Sequence, residues 1–297
     1  MKSLATILAL AAVCVGAVAV AGYAQATTIV VGGKDFTEQL LLAEMTTQLL
    51  KHEGFDVDKK DGLGSQVLRD AQVNGQVDVY WEYTGTSLVA YNKIAARMNA
   101  ADTYKKVKEL DAKLGLTWLN PSKANNTYAL AVRASNDRIN SIQTLSDLAK
   151  SYNDGQHLVM ALDAEFPRRP DGLPALEKAY GFSMTRDERR SMNSGLTYQA
   201  LRDGLVDLAL VFATDGRVKA FNFRLLTDDK GAFPSYDLVP VVRTSILKAN
   251  PGIEKPLNDL SAKLNNDVMQ TLNAKVDVSR KSIKDVARNF LADNGLI

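Results

Sequence analysis

Val30-Val31-Gly32-Gly33-Lys34-Asp35-Phe36-Thr37-Glu38-Gln39 is the stretch whose reading decides the fold. The β-branched run at 28–31 predicts a short strand. Gly32-Gly33 predicts a turn, and Asp35 with Glu38 predicts an N-cap pair at the head of a helix. Such a layout sets a cation, Lys34, and a helix N-terminus at the carboxyl end of a strand. Open α/β folds bind their ligands at that edge, so a small-molecule site is expected there.

Downstream, helical and strand patterns alternate. Leu42, Met45 and Leu49 share one helix face, and Gly54 ends that helix. Residues 65–74 predict a helix stopped by Gly75, and residues 77–83 predict the next strand. This alternation predicts an α/β chain with largely parallel sheets. No Pro- or Ser-rich linker separates two domains, so two lobes joined by more than one crossing are expected. The extended runs 127–132 and 236–242 are the expected crossovers. The first lobe is then 27–132 plus 241–297, and the second is 133–240.

Upstream, Lys2, an apolar run over 4–20 and Ala24-Gln25-Ala26 predict a signal peptide, residues 1–26, cleaved after Ala26. A membrane anchor is the rival reading of that run. Cleavage and export predict a periplasmic protein. Cys14 is the single cysteine of the 297 residues, so the exported chain has no disulfide and no thiol chemistry. The 36 basic and 34 acidic residues give a formal charge of +2. That balance argues against nucleic acid as a partner. The two histidines, His52 and His157, lack any metal-ligand spacing, so neither a metal nor another cofactor is expected.

A weak internal repeat supports two lobes. Gly75-Gln76-Val77-Asp78 leads through a strand to Tyr83, and Gly204-Leu205-Val206-Asp207 leads through a strand to Phe212. If the lobes face each other, Tyr83 and Phe212 look across a cleft from opposite walls. The alternative is that Gly-x-Val-Asp is merely a common helix-to-strand turn.

Five stretches, in order, carry a family resemblance: GGKDFTEQ (32–39), WEYTGT (81–86), NNTYALAV (125–132), EFPRRPDGLPAL (165–176), and LTYQAL with ATDGR (196–201, 213–217). They resemble the substrate-binding proteins of osmoprotectant ABC importers, those for glycine betaine, choline and carnitine. The resemblance implies a two-lobed periplasmic-binding-protein fold (type II). Each lobe is a mixed sheet flanked by helices, with two crossover strands at the hinge and no enzymatic activity. It implies a quaternary-ammonium solute as ligand, an ABC transporter permease in the inner membrane as partner, and a monomer. A quaternary ammonium has no N–H to donate, so proteins hold it with aromatic faces. A carboxylate at its other end suits Arg and Lys.

By that resemblance Tyr83 and Tyr198 are aromatic walls, and Lys34, Thr86 and Arg169 are polar partners. Gln39, Asn126, Phe212 and Thr214 complete the implied set. Arg168 competes with Arg169 for the ligand. Two departures from the family pattern, Ala124 for an aromatic and Phe212 for a tyrosine, predict an incomplete cage, and Ala124→Tyr is expected to tighten betaine binding. They also leave open a different small solute, such as an amino acid. An exported hydrolase is the remaining class, but Glu38, Glu82, Asp163 and Asp215 show no pairing in sequence.

Overall fold

The computed structural model describes residues 28–96, 98–136 and 139–297; the expected signal peptide lies outside them. The first strand, β1 (Ile29–Lys34), continues through both glycines instead of turning at them, with a shift of its register against the neighbouring strand between Gly32 and Lys34. A Cβ at Gly32 would lie 2.6 Å from Leu68 Cδ1 and 2.7 Å from Val77 Cγ1, so glycine is needed there for space. Helix α1 (Thr37–His52) follows Phe36, an extended N-cap residue whose side chain makes no capping bond. Asp35 is exposed and Glu38 is buried. The expected Asp35–Glu38 cap therefore does not form, because interior donors take up the Glu38 carboxylate.

The first sheet also contains β2 (Val57–Leu63), β3 (Val79–Tyr83), β4 (Leu116–Trp118) and β10 (Leu238–Arg243), in the order β2-β1-β3-β10-β4. The second contains β5 (Tyr128–Arg133), β6 (Met160–Asp163), β7 (Arg189–Met192), β8 (Leu208–Phe212) and β9 (Phe223–Leu225), in the order β7-β6-β8-β5-β9. Both are mixed. β1 runs parallel to β2 and β3 while β10 is antiparallel to β3 and β4. Likewise β6 runs parallel to β7 and β8 while β5 is antiparallel to β8 and β9.

β5 thus belongs to the second sheet and β10 to the first, so the chain crosses just before each of these strands. The crossing segments lie side by side. Asn125 and Asp237 form an antiparallel bridge, and the Asn126 N–H donates to the Tyr236 carbonyl at 3.1 Å.

Helices α2 (Ser65–Val73) and α3 (Ala100–Ala112) flank the first sheet, with α8 (Thr244–Ala249), α9 (Glu254–Ala262), α10 (Asn266–Asp277) and α11 (Ile283–Asp293) from the C-terminal part of the chain. The second sheet carries α4 (Leu145–Asn153), α5 (Leu173–Tyr180), α6 (Ser194–Arg202) and α7 (Arg217–Ala220). Leu41, Leu42, Met45 and Leu49 of α1 pack with Leu272, Phe290 and Leu291 from the last two helices. Each fully buried side chain of this kind contributes about 1.5–3 kcal/mol, which makes α1 the anchor of its lobe. Leu130, Leu148, Met160, Leu176 and Leu208 form the corresponding core of the second lobe.

The sequence repeat is one unit built twice. The Val30 N–H donates to Asp78 Oδ2 at 2.9 Å, and the Val159 N–H donates to Asp207 Oδ2 at 3.0 Å, each across 48 residues. The return bonds, Asp78 N–H to Val30 O and Asp207 N–H to Val159 O, are both 2.8 Å. The aspartates lock the entry to β3 onto β1 and the entry to β8 onto the start of β6, which fixes what stands at the far ends of those strands. Among the described residues no helix is long and apolar enough to cross a membrane, and no group of three or more His, Cys, Asp or Glu is placed to hold a metal.

Candidate ligand-binding cleft

Lys34, Tyr83, Asp163 and Phe212 end β1, β3, β6 and β8, and all four line one cavity of about 190 Å³ between the lobes. Five aromatic rings surround this space: Phe36, Tyr83, Tyr128, Phe212 and Tyr236. Phe36 stacks on Phe212 at 5.5 Å between centroids and faces Tyr83 at 6.3 Å. Tyr128 meets Phe212 at 5.6 Å and Tyr236, nearly edge-on, at 5.2 Å. β5 pairs Tyr128 directly with Phe212, so the strand register sets these two rings side by side.

The cavity's two basic groups are already paired. Lys34 Nζ donates to Glu82 Oε1 at 2.6 Å, and that carboxylate also accepts from the Tyr80 hydroxyl at 2.8 Å and the Tyr83 N–H at 2.7 Å. Burial pulls the Lys34 ammonium below its ordinary pKa, against the opposing pull of Glu82. Arg169 makes a two-pronged contact with Asp171, Nε to Oδ1 at 2.9 Å and Nη2 to Oδ2 at 2.6 Å. The Tyr236 hydroxyl also donates to Asp171 Oδ2, at 2.9 Å.

Asp163 differs. Its Oδ1 accepts from the N–H groups of Glu165 and Phe166 at 2.8 and 2.7 Å, while Oδ2 has no protein partner among the described residues. Burial raises its pKa, against those two N–H donors.

Contacts across the cleft hold the lobes together. The carboxylate of Glu38, on α1, accepts from the Tyr83 hydroxyl at 2.7 Å, Asn126 Nδ2 at 3.0 Å and the Thr214 hydroxyl of the second lobe. Asn273 Nδ2 reaches both Glu38 Oε2 at 3.3 Å and the Thr214 carbonyl at 2.9 Å. On the opposite rim the Ser65 N–H donates to Glu165 Oε1 at 2.9 Å, and Arg169 Nη2 donates to the Thr86 hydroxyl at 3.1 Å. Burial raises the pKa of Glu38, opposed by the bonds from Thr214, Tyr83 and Asn273.

Of the residues expected from sequence, Lys34, Tyr83, Thr86, Asn126, Arg169 and Phe212 come together around the cavity. Thr214 stands in a narrow adjoining pocket with Glu38. Gln39 and Tyr198 are not among the lining residues. Gln39 Nε2 donates to the Trp81 carbonyl at 2.9 Å, which ties α1 to β3. The Tyr198 hydroxyl accepts from the Phe212 N–H at 2.9 Å, and the Arg217 guanidinium covers its ring at 4.0 Å. Tyr198 thus supports the strand end that presents Phe212.

Arg169 is buried and Arg168 is exposed. Ala124 is fully buried in the core of the first lobe and is not among the residues that line the cavity. Sequence reasoning missed Phe36, Tyr128 and Tyr236 as walls and Glu165 as a lining acid, and it considered Asp163 only as a carboxylate for a hydrolase. The repeat held one usable signal, since Asp163 ends β6, the strand locked by Asp207, as Lys34 ends β1, the strand locked by Asp78.

Comparison with known proteins places this geometry. The profile of the substrate-binding domain of ABC-type glycine betaine transport systems matches residues 27–293. A glycine-betaine-binding protein of Pseudomonas aeruginosa is 43% identical over 283 residues, which is 93% of this chain and 91% of that one. The glycine betaine-binding protein YehZ of Escherichia coli is 36% identical over 279 residues, 91% of this chain and 92% of that one. A crystal structure described as a glycine betaine/carnitine/choline ABC transporter superposes with a TM-score of 0.72 at 28% identity, covering 90% of this chain and 99% of that one.

Proposed function

The chain belongs to the family of substrate-binding domains of ABC-type glycine betaine transport systems, and from that premise we propose what it carries. It captures a quaternary-ammonium solute of the glycine betaine, choline or carnitine type in the interlobe cleft and delivers it to an ABC permease. The observation that carries this reading is the ring of Phe36, Tyr83, Tyr128, Phe212 and Tyr236 around one small cavity. Each face turned toward a methylated ammonium contributes about 0.5–2 kcal/mol, at the upper end where water is excluded. The proposed ligand contacts are Phe36, Tyr83, Tyr128, Phe212 and Tyr236 for the ammonium, with Lys34, Thr86, Asn126 and Arg169 around them.

Capture needs an open and a closed form, and only contacts made in the closed form shift the balance between them. Phe36 against Phe212, Glu38 against Thr214 and Ser65 against Glu165 are such contacts. The work is binding and release rather than turnover. The protein acts as a monomer in the periplasm, exported by the signal peptide of residues 1–26. Its lobes are the two sheet-based units, and the segments bridged at Asn125 and Asp237 are the hinge. Calorimetry against glycine betaine, choline and carnitine tests the reading. Saturable binding of at least one supports it, and silence across all three refutes it.

A further inference from the structure

The stretch Ala213-Thr214-Asp215-Gly216-Arg217 follows the end of β8 in the second lobe and packs against α10 of the first. Met269 and Leu272 fix α10 in the core of the first lobe. From the same helix Gln270 Nε2 donates to the Ala213 carbonyl at 2.8 Å, and Asn273 Nδ2 donates to the Thr214 carbonyl at 2.9 Å. A Cβ at Gly216 would lie 2.4 Å from the Gln270 carbonyl oxygen and 2.6 Å from Ala274 Cβ. Glycine is what lets the two lobes approach this closely.

Arg217, 8% exposed, faces both lobes at the end of this contact. Toward the first lobe its Nη2 lies 3.3 Å from Asp277 Oδ2, at the end of α10. That oxygen is buried and makes no hydrogen bond among the described residues, so charge alone holds the pair. Asp277 Oδ1 accepts from the Thr37 hydroxyl at 2.7 Å, at the head of α1. Toward the second lobe the guanidinium clamps Asp215, Nε to Oδ1 at 2.9 Å and Nη2 to Oδ2 at 2.5 Å, and covers the Tyr198 ring at 4.0 Å. The Tyr198 hydroxyl accepts from the Phe212 N–H, and Phe212 is a wall of the cavity. Neither Arg217 nor Asp277 lines that cavity.

Building on the quaternary-ammonium reading above, we infer that Arg217 is a positioning residue that ties lobe closure to the ligand wall. Asp277 holds Arg217 when the lobes meet, and through Tyr198 Arg217 steadies the strand end that presents Phe212. Attraction across 3.3 Å falls away as the lobes part, so the pair belongs to the closed form and shifts the balance toward it. The solute touches neither charge. The pair therefore sets how tightly every solute is held and leaves the choice among solutes to the cavity.

The test is calorimetry with glycine betaine, choline and carnitine, with urea titration of each variant to confirm its fold. Asp277→Asn keeps the Oδ1 acceptor for Thr37 and removes the charge. It is expected to lower affinity about five-fold, by the same factor for every solute the unaltered protein binds. Asp277→Glu keeps the charge and is expected to stay within about two-fold of the unaltered protein. Arg217→Gln should lose at least as much as Asp277→Asn, and combining the two should lose no more than Arg217→Gln alone, because they break one interaction. Gly216→Ala, which pushes α10 away, is expected to weaken all solutes alike. Unaltered affinity in folded Asp277→Asn, losses that differ among the solutes, or additive losses in the double variant overturn the inference while leaving the quaternary-ammonium reading intact. Failure of the unaltered protein to bind any of the three overturns that reading and the inference with it.

Discussion

The ring of Phe36, at the head of α1 in the first lobe, lies within 13° of parallel to the ring of Phe212, at the end of β8 in the second. Their centroids are 5.5 Å apart, so the two lobes meet through aromatic faces at the wall of the cleft. Closing the lobes and completing the cage are thus one event. Phe36→Ala removes a ligand face and a lobe-to-lobe contact together. Affinity for tetramethylammonium, measured by calorimetry, is expected to fall about ten-fold or more, near 1.4 kcal/mol, with the circular dichroism spectrum unchanged.

Glu38 predicts a pH signature. Its ordinary pKa of 4.5 is raised in the folded protein by burial. The folded state therefore holds the proton more tightly than the unfolded state. Through this group stability is greatest below about 4.5 and declines as pH rises through the folded value. Glu38→Gln lacks that proton. Urea denaturation at stepped pH should show the stability difference, unaltered protein minus variant, decreasing as pH rises above 4.5. A difference that grows with pH contradicts the assignment.

Ala124 gives the clearest reversal of a sequence expectation. Its Cβ is fully buried beside the core that includes Trp81 and Tyr236, and its N–H donates to Ser122 Oγ at 3.1 Å. A tyrosine there overpacks the first lobe instead of adding a wall to the cage. Ala124→Tyr is expected to lower stability by about 1–3 kcal/mol or more in urea titrations, with no gain in ligand affinity.

The duplicated lock makes a paired prediction. Asp78 and Asp207 each accept a backbone N–H from a residue 48 positions upstream, Val30 in β1 and Val159 just before β6. Asp78→Ala and Asp207→Ala each leave a backbone N–H without its acceptor. Each is expected to cost about 1–3 kcal/mol in denaturant titrations. Since each lock fixes the strand that ends in Tyr83 or Phe212, ligand affinity should fall in both variants.

The parts of this molecule legible in the sequence are those governed by local pattern. The face of α1 built on Leu42, Met45 and Leu49, the stop at Gly75 and the repeated Gly-x-Val-Asp turns follow from periodicity and glycine alone. Gly32-Gly33 misled because a glycine pair signals a turn, whereas here side chains from Leu68 and Val77 fill the space above a continuing strand. Sequence spacing held no trace of that distant crowding.

The cleft was legible in its strand ends, Lys34, Tyr83 and Phe212, and in Arg169. Tyr128 and Tyr236 read as ordinary members of extended runs, because only the crossing of those runs beside each other turns both rings toward one cavity. Lys34 and Arg169 read as polar partners of the ligand, and Glu82 becomes the partner of Lys34 only in three dimensions. Tyr198 read as a wall, yet its hydroxyl is spent on the Phe212 N–H.

The central claim is that the aromatic cavity recognises positive charge rather than apolar bulk. It is tested most directly by comparing choline with neohexyl alcohol, in which carbon replaces the quaternary nitrogen at nearly the same shape. Calorimetry on the unaltered protein is predicted to give an affinity for choline at least about ten-fold above that for the neutral isostere. Equal affinities, or tighter binding of the alcohol, would contradict the account.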